Sequence, residues 1–144
     1  MTEHAERQGW MGLLARAPAA RLAALMGDAP GFDWLRAPEV GGVMVRGRAG
    51  GTGAPFNLGE MTVTRCALRL ATGEVGHACV RGRDKTHARQ AALVDALMQG
   101  PRAAGVRAGV LDPLAAEEAA RRHARAAKAA ATKVEFFTMV RGEA

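Results

Sequence analysis

The chain has no serine and no tyrosine, and its 144 residues include only two cysteines. The missing serine excludes every mechanism that needs a serine nucleophile. The missing tyrosine leaves Trp10, Trp34, Phe32, Phe56, Phe136 and Phe137 as the only large rings, so the side chains that bury most area in a core are scarce. A thin core is expected, and an isolated chain of marginal stability. Cys66 and Cys79 lack C-x-x-C spacing, which indicates neither a zinc site nor a dithiol redox motif. Free cysteine is among the most often buried residue types, and both are read as small core residues with inert thiols. His4, His77 and His123 fall on different elements without a repeated ligand spacing, so no metal site is expected on this chain. No apolar run approaches the roughly 20 residues of a membrane helix, and Met1 to Arg7 shows no basic segment followed by an apolar one. The expectation is a cytoplasmic protein with no membrane partner.

What remains is ordinary globular material, 49% hydrophobic and 24% charged, of a length that forms one domain over residues 1–144. The formal net charge of +6 points to an anionic partner. Nucleic acid is disfavoured, because the cations are interleaved with acids and few aromatic platforms exist for base stacking.

The patterning predicts an α+β fold, an antiparallel meander of about four strands with helices packed on it. Two short helices open the chain over residues 1–27, with Trp10, Leu13 and Leu14, then Leu22, Leu25 and Met26, at helical spacing and Pro18 between them. The sheet is expected over residues 32–81. Phe32 to Ala37 and Gly42 to Arg48 read as strands joined by a turn at Pro38 to Gly41, and Glu60 to Leu70 and Val75 to Arg81 as strands joined at Thr72-Gly73. A two-residue loop there would place Cys66 directly opposite Cys79, as two reduced thiols in a reducing compartment. Helices follow over residues 84–132. Asp84 is a good N-cap for the first, whose face His87, Ala91, Val94, Met98 is helical in period. Asp112-Pro113 offers a cap and first position for the second after a Gly/Arg-rich loop. That second helix sets up Glu117/Arg121 and Glu118/Arg122 pairs but carries no apolar side chain larger than alanine between Leu114 and Val134. Residues 134–140 are apolar and β-compatible, and either complete the sheet or reach onto another chain.

Two segments could bind an anion. The glycine-rich run Gly47 to Gly53, with Arg48, offers free backbone N–H groups, or it is simply a flexible hairpin connection. It is not a P-loop, since Arg48-Ala49 stands where Lys-Ser/Thr is required and a strand follows where a P-loop has a helix. Arg81, Arg83 and Lys85 gather at a helix N-terminus, unless Asp84 already satisfies that end and the cations are merely solvated. His87 lies on the apolar helix face, as a satisfied core histidine or as a ligand. Nothing assembles a complete active site.

The block Gly50-Gly51-Thr52-Gly53, the run Phe56-Asn57-Leu58-Gly59-Glu60-Met61-Thr62-Val63-Thr64-Arg65, the stretch Gly82-Arg83-Asp84-Lys85 with His87-Ala88, the triplet Asp95-Ala96-Leu97 and the ending Phe136 to Gly142 resemble the phosphonate-metabolism family PhnG. That resemblance spreads over nearly the whole chain. It implies membership of the carbon–phosphorus lyase core complex, with subunits H, I and J and the ATP-binding-cassette-like subunits as partners. The implied activity is displacement of adenine from ATP by an alkylphosphonate to give α-D-ribose 1-alkylphosphonate 5-triphosphate. ATP would be a substrate of the complex, with no cofactor on this chain and no catalytic residue assigned to it. The expected substrate or interface positions are Arg48, Gly50, Gly51, Thr52, Gly53, Arg65, Arg83, Asp84 and His87, with Phe136, Phe137, Met139 and Val140 as a docking segment.

Overall fold

Helix α3, Lys85–Leu97, carries the largest share of the core. Asp84 precedes it in extended conformation, and its carboxylate accepts the His87 N–H at 2.9 Å, the N-cap expected of this residue type. In the computed structural model, which describes residues 2–134, His87, Ala91, Val94 and Met98 are all buried, as the helical period predicts. Helices α1, Glu3–Arg16, and α2, Ala19–Met26, pack beside α3. They contribute Trp10, Leu14 and Leu22 to one continuous core with Leu68, Val80 and Leu93. Alanine fills much of the remainder, at Ala78, Ala88, Ala91, Ala92 and Ala96.

The helices lie against an antiparallel sheet of order β1-β2-β3, comprising β1, Phe32–Arg48, β2, Pro55–Leu70, and β3, Val75–Arg81. The class is α+β as expected, but the described residues form three strands and not four. The two segments read as separate strands, Phe32 to Ala37 and Gly42 to Arg48, are one. The expected turn at Pro38 is a bulged stretch of β1, where the ladder shifts between Trp34 and Arg36 and again between Arg36 and Glu39. A bulge on an edge strand is where proline's missing N–H costs no ladder bond. The segment read as a C-terminal strand or docking segment, residues 134–140, falls almost entirely outside the described residues; Val134, its first residue, is exposed.

The β2–β3 connection also departs from expectation. Gly73 N–H bonds Leu70 O and Leu70 N–H bonds Glu74 O, both at 2.9 Å, so three residues, not two, form the loop. Gly73 takes a φ of 105°, a conformation glycine adopts at little cost. The register slides by one residue, which in a strand exchanges the two faces. Cys66 therefore faces Ala78, and Cys79 faces Arg65. Cys66 is 3% exposed, and its thiol donates to Ala88 O at 3.3 Å. Cys79 is exposed, and the expected pair of core thiols does not form. Burial pushes the Cys66 thiol up to about 11. Iodoacetamide at pH 8 is expected to alkylate one thiol per native chain, Cys79, and to reach Cys66 only on denaturation; two equally fast thiols by mass spectrometry would contradict this register.

Beyond α3 the chain is helical almost at once. Helix α4, Ala103–Val106, passes into a π-helical stretch, Arg107–Leu111, and this into α5, Asp112–Ala131, without a break. Asp112 is helical (φ −63°, ψ −45°) and so caps nothing, contrary to the sequence reading. Pro113 cannot donate to the preceding turn and its ring crowds that turn's carbonyl; the wider π turn immediately before it is a recognised accommodation. Leu114 is the last buried residue of α5, and from Ala119 to Val134 the helix and the residues after it are exposed. Ion pairs hold its first turns. Arg16 meets Glu118 through two contacts of 3.2 Å, and Arg21 meets Glu117 at 2.7 Å. The expected Glu118–Arg122 pair forms at 3.2 Å, whereas Glu117 is taken by Arg21 and not by Arg121. Hydrogen bonding from Arg16 holds the Glu118 carboxyl below the usual glutamate range, so this pair persists through neutral pH and is lost as pH falls through that lowered value.

Candidate functional site

The surface rests on a buried polar knot. Asp95 of α3, fully buried, accepts from Arg7 Nε at 3.1 Å, Arg7 Nη2 at 2.9 Å, Trp10 Nε1 at 2.9 Å and the His77 backbone N–H at 2.9 Å. One carboxylate thereby ties α1, α3 and β3 together. Hydrogen bonding to Asp95 raises Arg7 above its ordinary pKa despite the opposing cost of burial. The Arg107 guanidinium lies 5.9 Å from the Trp10 ring centroid, within cation–π range. Next to this knot Gly76 lets α3 approach β3. A Cβ there would overlap the Ala92 carbonyl and come 2.9 Å from the Ala96 methyl.

Upon this base the structure builds a projecting ribbon and a cationic groove. β3 pairs with β2 only over Val63 to Arg69. Past Val63 the β1–β2 pair continues alone, Gly42 to Arg48 against Pro55 to Thr62, for roughly 25 Å at 3.4 Å per residue. Ribbons of two strands are marginal on their own in water. This one nevertheless exposes Met44 (57%), Phe56 (46%) and Leu58 (63%). Its tip holds the glycine run. Gly50 and Gly51 take φ of 64° and 83°, the Gly53 N–H bonds Ala49 O at 2.8 Å, and Arg48 reaches Gly53 O at 3.4 Å.

The groove, of about 580 Å³, runs between the sheet, the end of α1 and α5. Val43, Met61, Val63, Cys79 and Arg81 line its sheet side, Ala15 to Ala17 the α1 side, and Glu118, Arg121, Arg122 and Arg125 the α5 side, with His87 among them. His87 Nε2 lies 2.9 Å from Leu14 O. A carbonyl only accepts, so Nε2 carries the proton in this bond and the ring is fixed in orientation.

The residues picked from sequence are thus scattered over three places. Arg48, Gly50, Gly51, Thr52 and Gly53 are at the ribbon tip. Arg65 sits at the ribbon base, its guanidinium 3.4 Å from Gly42 O, in a shallow depression with the Arg36–Glu39 pair. Arg83, Asp84 and His87 are at the start of α3, after the Gly82 turn (φ 90°) that Thr64 secures through its hydroxyl to Gly82 O at 2.7 Å. Of these, only His87 lines the groove. Sequence reasoning named Asp95 only as part of the resemblance, without a role, and did not pick out the convergence of Arg16, Arg81, Arg121 and Arg125. Arginines one helical turn apart at 121 and 125 were the available signal.

A small α+β domain that tightens its core around one carboxylate, exposes an apolar β-ribbon and gathers arginines in one groove has the surface features of a subunit. The family described as phosphonate metabolism protein PhnG matches residues 5–142, and the chain belongs to that family. It is similar to the α-D-ribose 1-methylphosphonate 5-triphosphate synthase subunit PhnG of Rhizobium meliloti (strain 1021), with 47% identity over 142 residues covering 96% of this chain and 91% of that protein. No helix among the described residues is long and apolar enough to cross a membrane.

Proposed function

We propose that this chain is the PhnG subunit of an α-D-ribose 1-methylphosphonate 5-triphosphate synthase and acts in phosphonate metabolism through contacts with the other subunits. The observation that carries the reading is the 47% identity to a protein of that name along nearly the full length of both chains. The finer reading is that subunits H, I and J and the ATP-binding-cassette-like subunits are its partners, and that they supply the groups that displace adenine from ATP. The ribbon supports it. Apolar side chains on a two-stranded arm gain stability when a neighbouring protein covers them, and Met44, Phe56 and Leu58 all lie outside the core. The ribbon tip, Arg48 and Gly50 to Gly53, and the segment Phe136 to Val140 are further contact positions in this reading.

Co-expression of the tagged chain with subunits H, I and J tests it. Copurification of all three with the tag is expected. A ribbon variant, Phe56→Asp with Leu58→Asp, is expected to reduce recovery of the partners at least tenfold while circular dichroism stays native, because two charges buried without partners cost several kcal/mol. Deletion beyond Val134 probes the C-terminal segment in the same assay. Recovery of the bare chain alone from wild-type co-expression would remove the proposal.

A further inference from the structure

Five arginines from three elements converge on the groove: Arg16 at the end of α1, Arg81 at the end of β3, and Arg121, Arg122 and Arg125 on α5. Glu118 is the single carboxylate lining it among the described residues, and both Arg16 and Arg122 are already engaged with it at 3.2 Å. Arg81, Arg121 and Arg125 have no carboxylate partner among the described residues. Arg121 and Arg125 stand four residues apart, where like charges on a helix repel. Glu118, the carboxylate closest to Arg121 in sequence on the groove wall, offsets that repulsion in part. A helix with one buried residue, Leu114, could splay away from the sheet and relieve it, yet ion pairs at Glu117 and Glu118 hold α5 so that its arginines line the same groove as Arg81.

The groove's volume lies within the range of about 300–1,000 Å³ common for small-molecule sites. Guanidinium groups pair with phosphate oxygens through two parallel N–H bonds, in a geometry that ammonium groups cannot match. Cations arriving from several sides suit a compact anion with several charged oxygens better than an extended chain with one charge every few residues. Val43, Met61 and Val63 supply an apolar wall beside them.

We propose that this groove holds the triphosphate end of a nucleotide or ribosyl triphosphate, with Arg81, Arg121 and Arg125 pairing to its oxygens. The proposal rests on reading the chain as a synthase subunit, and it adds to that reading a site on this chain for the triphosphate. The competing occupant is an acidic segment of a neighbouring subunit.

Calorimetric titration of the full chain with inorganic tripolyphosphate, ATP and adenosine, at about 0.1 M salt so that long-range attraction is screened, provides the test. Tripolyphosphate and ATP are expected to bind once per chain and adenosine not at all. The Arg121→Ala/Arg125→Ala variant, with native circular dichroism, is expected to bind tripolyphosphate about 100-fold more weakly. Lys128→Ala, which removes a cation from the same helix but not from the groove, is expected to bind as the wild type does. Absence of tripolyphosphate binding, an unaltered affinity in the double variant, or an equal loss in Lys128→Ala would each overturn the site. Copurification of the double variant with subunits H, I and J separates the two readings. If partners are retained while wild-type tripolyphosphate binding is absent, the groove proposal fails and the subunit reading stands. If partners are lost while tripolyphosphate affinity is unchanged, the groove belongs to an acidic neighbour and the proposal fails.

Discussion

Asp95→Ala is expected to cost about 3 kcal/mol of folding stability, the lower end of what removing one partner of a buried, hydrogen-bonded ion pair costs. The Asp95 carboxylate is fully buried and accepts four hydrogen bonds from two other elements, α1 and β3. Its removal strands the buried Trp10 indole N–H, leaves the partly buried His77 backbone N–H without its partner and opens a cavity. Arg7 is about a third exposed and can turn to water, which keeps the cost from reaching the upper end of that range. Set against a total stability of about 5–15 kcal/mol for a domain, this is a large loss. Asp95→Asn keeps the volume but turns an amide N–H₂ toward donors, and is expected to fall between wild type and alanine. Urea unfolding followed by tryptophan fluorescence measures both. A loss below about 1 kcal/mol for alanine, the level of an ordinary neutral hydrogen bond, would show that the knot does not organise the core.

The helices were legible because the chain follows local rules there. Asp84 is the cap its residue type predicts, Pro18 separates α1 from α2, and the face from His87 to Met98 is buried as its period demands. The errors arose where one local signal admits two structures. Pro38 reads as a turn, but on an edge strand a bulge absorbs it and β1 runs on. Pro113 reads as a helix start, but a preceding π turn lets it sit inside a longer helix. At Thr72-Gly73 the loop is one residue longer than expected, enough to turn Cys79 from the core toward the groove. Each difference comes from tertiary packing overriding a short-range preference.

The candidate site was less legible than the fold. His87 could be named from its position on α3, but the α5 arginines lie far away in sequence and reach the groove on a helix that Arg16 and Arg21 help to hold. Sequence showed Arg121 and Arg122 as partners for Glu117 and Glu118. Only their placement opposite Arg81 gives them a common target.

Adenine release from ATP and methylphosphonate, by subunits H and I and the ATP-binding-cassette-like subunits reconstituted with and without this chain, tests the central claim most directly. Release is expected only in the complete mixture, with rates at background when this chain is omitted and none from this chain alone. Equal release with the chain left out, or release by the isolated chain, would contradict its assignment as a required subunit that depends on its partners for the chemistry.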